Sequence, residues 1–161
     1  MLAVPPRPAT SLLPGLKTPT KFRAIVNAHF RYEPPVGQAP ILGVVGGLVE
    51  WLFAFPQRLS ITVSNGDRLV DMPREELAQA IWRDICQASG IAAEMPAWQI
   101  VRERRATFEA TPEQNALRPG PATAFKNLFL AGDWTDTGLP ATIEGSVRSG
   151  DRAAGLVLSM G

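Results

Sequence analysis

The residues best suited to hold a ligand fall in one stretch, Leu130-Ala131-Gly132-Asp133 followed by Gly138-Leu139-Pro140-Ala141-Thr142-Ile143-Glu144-Gly145. Leu128 to Ala131 is a short apolar run of the kind found in a strand buried on both faces. Gly132 lets the backbone approach another group closely, and Asp133 places a carboxylate at the strand's carboxyl end. Ligands of open α/β sheets gather at that end. Pro140 is suited to open a helix, which would leave the amides of Ala141, Thr142 and Ile143 without intrahelical partners. One carboxylate beside a cradle of free amides suits a ligand that carries hydroxyl groups and an electron-rich edge.

A second set of candidates lies upstream. Arg23 to Tyr32 alternates as a strand, with Ala24, Val26, Ala28, Phe30 and Tyr32 on an apolar face and Ile25, Asn27, His29 and Arg31 on the other. Asn27 and His29 either line a cavity or make structural hydrogen bonds. Trp51, Phe53 and Phe55 share one face of a later strand. Such an aromatic stripe is by default core, and otherwise a wall for an apolar ligand.

Composition narrows the chemistry. The formal net charge is +1, so no basic surplus is available for a nucleic-acid backbone. His29 and Cys86 are the only residues of their types, so a zinc site of ordinary ligand count could not be built without carboxylates, and an internal disulfide is excluded. No Gly-x-Ser-x-Gly elbow occurs. Hydrophobic residues make up 45% and charged residues 19% of 161, a globular balance. No apolar run reaches the roughly 18 residues of a membrane span. A cytoplasmic protein with at most peripheral contact at the inner membrane is expected.

The elements that must position these residues follow from periodicity and punctuation. Leu2 to Pro6 reads as the tail of a strand without its beginning, which suggests a fragment, and Ser11 to Pro19 as loop or short helix. Ile41 to Val45 and Val49 to Phe55 are expected to pair across Gly46-Gly47. Leu59, Ile61 and Val63 alternate with Ser60, Thr62 and Ser64 in a half-buried antiparallel strand. Pro73 to Ser89 is a helix, with Asp71 as its cap, Leu77, Ile81 and Ile85 as its buried stripe and Gly90 at its exit. Trp98 to Phe108 is a charged edge strand, and Glu109 to Ala124 is loop. The last helix is expected from Pro140 to Met160, with Ile143, Val147, Ala154 and Leu158 facing a core. Its small residues Gly145, Ser146, Ser149 and Gly150 signal the close approach of a backbone or a flat ligand.

The Gly132-Asp133 turn and the Pro140–Gly145 segment, in this order and at this spacing, resemble the C-terminal FAD-binding motif of the amine oxidase and phytoene desaturase superfamily. Within it, the sequence is most similar to the squalene-associated FAD-dependent enzymes, the hydroxysqualene dehydroxylases. Leu2-Ala3-Val4-Pro5-Pro6, Ile25-Val26-Asn27-Ala28-His29, Trp51-Leu52-Phe53 and Glu103-Arg104-Arg105-Ala106-Thr107-Phe108 extend the likeness over nearly the whole chain. Ser146 departs from the alanine common there, and no Gly-x-Gly-x-x-Gly is present.

The resemblance implies a mixed α+β and α/β fold. It would be the C-terminal part of a two-domain FAD-dependent oxidoreductase, combining an antiparallel substrate-domain sheet with the last strand and helix of a Rossmann-like FAD domain. On that basis residues 1–10 end a strand of a missing half, 11–110 belong to the substrate domain and 111–161 form the terminal strand, loop and helix. Gly132, Asp133, Pro140, Ala141, Thr142 and Ile143 would hold FAD, with Asp133 on its ribityl–phosphate portion. Asn27, His29, Trp51 and Phe53 would meet a long isoprenoid, and His29 would be the candidate catalytic group. The implied reaction is reductive removal of the hydroxyl from hydroxysqualene. The alternatives are a phytoene desaturase-like or amine oxidase-like flavoenzyme, or a non-catalytic truncated chain. A second chain could supply the dinucleotide-binding half.

Overall fold

The computed structural model describes residues 1–160. The chain divides into two compact units, residues 23–106 and residues 1–22 with 107–161. Residues 11–22, expected with the sheet, belong to the terminal unit. Leu13 and Leu16 pack around Ala9, Leu130 and Trp134 there, and the Gln114 side-chain oxygen accepts the amides of Thr20 and Lys21 at 2.7 and 2.9 Å.

The 23–106 unit is built on a five-stranded sheet. Its strands are β1 (Phe22–Phe30), β2 (Ile41–Gly43), β3 (Trp51–Phe55), β4 (Arg58–Val63) and β5 (Trp98–Phe108), in the order β2-β3-β4-β1-β5. The pairs β2–β3, β3–β4 and β4–β1 are antiparallel. Alternation sends Ala24, Val26, Ala28 and Phe30 of β1, and Leu59, Ile61 and Val63 of β4, into one core. The helix α2 (Arg74–Ser89) contributes Leu77, Ala78, Ile81, Trp82 and Ile85 to the same core and ends on left-handed Gly90, φ 64°.

The expected hairpin at Gly46-Gly47 forms with shorter strands and a wider loop. Asp84 of α2 accepts the amides of Leu48 and Val49 and holds the loop against the helix, so β3 starts only at Trp51. Asp71 does not cap α2. Its carboxylate pairs with Arg104 at 2.6 Å, and the capping position is Pro73. Arg102 donates to the carbonyls of Val70 and Met72, so much of the charge of edge strand β5 is tied to the segment entering α2. The aromatic stripe is not core: Trp51 and Phe55 are 46% and 42% exposed, while Leu52 between them is buried. Leu52 pairs with Ile61 of the core face, and this puts Trp51, Phe53 and Phe55 on the other face.

The terminal unit holds α1 (Pro6–Leu12), α3 (Pro112–Asn115) and α4 (Ile143–Leu158). α3 interrupts the expected 109–124 loop: Thr111 caps it, accepting from the Gln114 amide. Leu128 to Ala131 forms isolated bridges rather than a strand, parallel at Leu2–Leu130 and antiparallel at Ala122–Phe129. The prolines at 5, 6, 119 and 121 cannot donate to a ladder, so each partner pairs only briefly. The inward face of α4 also differs from expectation. Gly145, Ser149 and Ala153 are its buried residues, while Ile143, Val147 and Leu158 are 86%, 53% and 81% exposed. Close approach to the backbone at Gly132 selects the small residues for the inner side.

Two expectations follow. Ile81→Ala should lower the unfolding free energy by about 2–5 kcal/mol, whereas Leu158→Ala should change it by no more than about 0.5 kcal/mol, read by urea denaturation. Asp67 accepts from Arg23 at 2.8 Å and from the Ala24 amide at 2.8 Å, and these contacts hold its carboxyl below the usual range. Because the unfolded chain takes up the proton first, this contribution is full above the ordinary carboxylate pKa. It disappears as pH falls through the lower folded value. Asp67→Asn should therefore lower the urea midpoint at neutral pH, with the gap to wild type closing as pH falls from the ordinary carboxylate range through the lower folded value.

Candidate functional site

The turn after Leu130 is set by four hydrogen bonds around Gly132. Its amide donates to Ser149 Oγ on α4 at 2.9 Å, and its carbonyl accepts from Thr135 Oγ1 at 2.8 Å. Thr135 Oγ1 and Ser149 Oγ lie 2.7 Å apart. Since the Thr135 proton goes to the carbonyl, the Ser149 hydroxyl donates to Thr135, and the ring of donors closes on Gly132. The Thr135 amide adds a further bond to the Gly132 carbonyl at 3.1 Å. Gly132 has φ +151°, and a Cβ there would fall on the Trp134 indole, whose Nε1 donates to the Val4 carbonyl at 2.9 Å. Only glycine fits.

Asp133 follows in a half-buried position. Burial pushes its carboxyl upward, opposed by the amides of Trp134 and of Asp133 itself and by the charge of Arg118. Arg118 donates through Nη2 to the Asp133 carbonyl and to Thr137 Oγ1, both at 3.0 Å, and through Nη1 to Asn115 Oδ1 at 3.2 Å. Its guanidinium lies 4.9 Å from the centre of the Phe108 ring. This buried arginine thus ties α3 to the 133–137 turn. Burial lowers its pKa, while Asp136 and Asp133 raise it.

The helix after the turn begins later than its sequence suggests. Thr142 is the capping residue of α4 and accepts the Gly145 amide at 3.0 Å, so Pro140 and Ala141 precede the helix. The amides at its open end are those of Ile143 and Glu144, not Ala141 to Ile143. Gly145 makes room for the Pro140 carbonyl, which would stand 3.0 Å from a Cβ at that position.

A cavity of about 390 Å³ opens beside the loop, lined by Phe108, Thr111, Asn115, Arg118, Asp136 and Leu139 among others. Of the six residues expected to hold the ligand, Pro140 lines this cavity and Gly132, Asp133, Ala141, Thr142 and Ile143 do not. Sequence reasoning passed over Arg118, Thr135 and Thr137. Nothing in Arg118-Pro119-Gly120-Pro121 marks its cation as buried. Ser149 was noted for its small size but not for its hydroxyl.

The other expected residues share one face of the sheet. Thr62 pairs with both Trp51 and Asn27, and Ser60 with both Phe53 and His29. Thr62 Oγ1 donates to Asn27 Oδ1 at 2.7 Å, and Ser60 Oγ lies 2.9 Å from His29 Nδ1. Burial, then the nearby Arg58 charge, lowers the His29 pKa and favours neutral imidazole. His29 also lines a cleft of about 280 Å³ with Arg31, Arg58, Trp98 and Gln99. Among the described residues, no three His, Cys, Asp or Glu side chains group as metal ligands, and no helix is long and apolar enough to cross a membrane.

Arg118→Met should remove the guanidinium donor from the Asp133 carbonyl and from Thr137 Oγ1, which keeps only the Leu139 amide. The expected loss is about 1–3 kcal/mol of stability in urea unfolding. The Asp133 carboxyl should titrate at higher pH still, because the Arg118 charge that lowers it is gone. Carboxyl-carbon NMR across pH reads that shift directly.

The chain is 78% identical over 159 residues to a hydroxysqualene dehydroxylase of Sinorhizobium fredii, covering 99% of this chain and 38% of that protein. It is 74% identical over 161 residues to a protein of the same name from Rhodopseudomonas palustris, covering 100% of this chain and 38% of that protein. The chain therefore spans a little over a third of the length of these curated relatives. A solved structure from Exiguobacterium sp. 255-15, described as a protoporphyrinogen oxidase, superposes with a TM-score of 0.71 at 17% identity, over 99% of this chain and 40% of that one. That likeness shows a shared fold. A family model described as flavin containing amine oxidoreductase matches residues 1–158. The chain belongs to the flavin containing amine oxidoreductase family.

Proposed function

We propose that this chain forms the C-terminal part of an FAD-dependent oxidoreductase that reductively removes the hydroxyl of hydroxysqualene, giving squalene for hopanoid synthesis. The observation that carries the reading is the 78% identity, across nearly the whole chain, to a protein named for that reaction. The residues present fit the cofactor. The Asp133 carboxylate is half withdrawn from water and accepts from no side chain among the described residues. Ligand hydroxyls would supply the donors that its burial calls for.

In this reading Gly132 and Asp133 hold the ribityl–phosphate portion of FAD. The Pro140–Ile143 segment and the open amides of α4 take the electron-rich edge of the ring. Reduced FAD, if bound, would supply the hydride that takes the hydroxyl's place, the hydroxyl leaving with a proton as water. Trp51 and Phe53 offer apolar surface to the isoprenoid, while Asn27 and His29 supply polarity beside it. A neutral His29 is better suited to hydrogen bonding than to proton donation. Adenosine and pyrophosphate would be held by residues outside this sequence, on the same polypeptide or on a second chain, because no Gly-x-Gly-x-x-Gly occurs within it. Membrane contact, if made to collect so apolar a substrate, would be peripheral.

The test joins residues 1–161 to the remainder of the Sinorhizobium relative. The joined protein should be yellow and convert hydroxysqualene to squalene when reduced, whereas residues 1–161 alone should retain no stoichiometric flavin through gel filtration. Asp133→Ala should weaken flavin binding by about 10- to 100-fold, the loss of hydrogen bonds to a charged group. A colourless joined protein would sink the cofactor assignment. A yellow one that acts on phytoene or amines but not on hydroxysqualene would sink the substrate.

A further inference from the structure

The exposed face of the sheet carries two rows of matched composition. One row runs Trp51, Thr62, Asn27, and the next runs Phe53, Ser60, His29. Each row therefore passes from an aromatic ring through a hydroxyl to a polar side chain with spare hydrogen-bonding capacity. Thr62 is engaged by Asn27 Oδ1 at 2.7 Å and Ser60 by His29 Nδ1 at 2.9 Å. What remains is the far side of each polar group. Asn27 Nδ2 and His29 Nε2 have no partner among the described residues.

This arrangement is poorly matched to a plain hydrocarbon. A hydrocarbon laid over Trp51 and Phe53 would gain from the rings but would strip water from two unpaired polar groups, which is costly. It is also poorly matched to a cation, because Arg31 and Arg58 line the cleft that His29 enters. An alcohol suits it. A hydroxyl both donates and accepts, so it complements His29 Nε2 in either neutral tautomer, and the rest of the molecule covers the rings.

We propose that His29 is the residue that recognises the hydroxyl of an apolar alcohol on this face, that Ser60 positions its imidazole, and that Asn27 gives a second polar contact. The proposal rests on the reading that an isoprenoid alcohol is the ligand, and it adds the group that separates substrate from its deoxygenated product. Burial and Arg58 keep the imidazole neutral, so Nδ1 stays with Ser60 and Nε2 stays available to the alcohol. A site that hydrogen-bonds a hydroxyl discriminates against the analogue that lacks it, because its own polar groups are then left unpaired. For a reaction that removes the hydroxyl, the same contact favours release of product.

His29 is the only histidine, so its imidazole signals in a nitrogen-15 NMR spectrum are unambiguous. The 161-residue chain is titrated with hydroxysqualene and with squalene, each in the same non-ionic detergent micelles. Binding is read by the part of the tryptophan fluorescence that Trp51→Phe abolishes. The alcohol should bind at least about tenfold more tightly than the hydrocarbon and should move the Nε2 resonance. His29→Leu should bring the ratio to about one, weakening the alcohol and strengthening the hydrocarbon, because the unpaired Nε2 that penalises squalene is gone. Ser60→Ala should shift the tautomer balance and give an intermediate ratio, a change that a merely structural serine would not produce. Equal affinities for the two ligands in the wild type, or a ratio that survives His29→Leu, would overturn hydroxyl recognition and leave the apolar-ligand reading standing. Absence of any Trp51 response to either ligand would overturn both.

Discussion

A helix can approach a turning backbone to hydrogen-bonding distance only if its facing side chains are small, and this limit governs the terminal unit. The Gly132 amide reaches Ser149 Oγ at 2.9 Å because α4 presents Gly145, Ser149 and Ala153 inward. A larger residue at 149 would separate the two and open the ring of donors through Thr135. The turn can tolerate no side chain of its own either, since the Trp134 indole fills that space. Asp133 is thus fixed from three sides: by α4 through Gly132, by Trp134 anchored on Val4, and by Arg118 on its carbonyl. The residue is held through its backbone, and its carboxylate is met by backbone amides rather than by a side-chain donor.

The sheet solves a different problem. Its two faces share the same strands but have opposite requirements. The inner face is filled by apolar side chains and closed by α2, with Phe30, Leu59, Ile61 and Val63 fully or almost fully buried. On the outer face Ser60 and Thr62 alternate with those residues, and each satisfies a neighbour in β1. Ser60 is buried, yet its hydroxyl is not wasted, because His29 sits opposite. Antiparallel pairing puts directly opposed side chains about 5 Å apart, so register alone converts four isolated polar residues into two bonded pairs.

Much of this was legible in the sequence. Alternation identified β1 and β4, and four-residue spacing identified α2, because both patterns record burial directly. The Gly-Asp turn and the small face of the last helix were also visible. The failures have physical causes. The 128–131 run looked like a strand because its composition is apolar, but ladder length depends on partners, and prolines limit those. Pro140 looked like a helix start, yet Thr142 can cap and therefore fixes the first helical residue three positions later, at Ile143. The stripe of Ile143, Val147 and Leu158 was expected to face a core because large apolar residues usually do. Close approach reversed this, since steric clearance outweighs hydrophobicity when a backbone must come near. Arg118 could not be found from periodicity at all. Its burial depends on Phe108, Asn115 and Thr137 meeting around it, and no local pattern encodes such a meeting.

Burial acts with the same sense on both candidate sites, although the groups carry opposite charges. It raises the Asp133 carboxyl and lowers the His29 imidazole, favouring the neutral form of each. The neighbours then separate the two cases. Around Asp133 two backbone amides and a cation pull back toward the charged form, which equips it to accept hydrogen bonds from hydroxyls. Beside His29 the nearest charge is Arg58, which reinforces burial and keeps the imidazole neutral. One group is thus built to remain an acceptor, the other to remain uncharged and able to donate or accept. The difference follows from where each backbone places its side chain, beside amides and a cation in one case and beside a cation alone in the other.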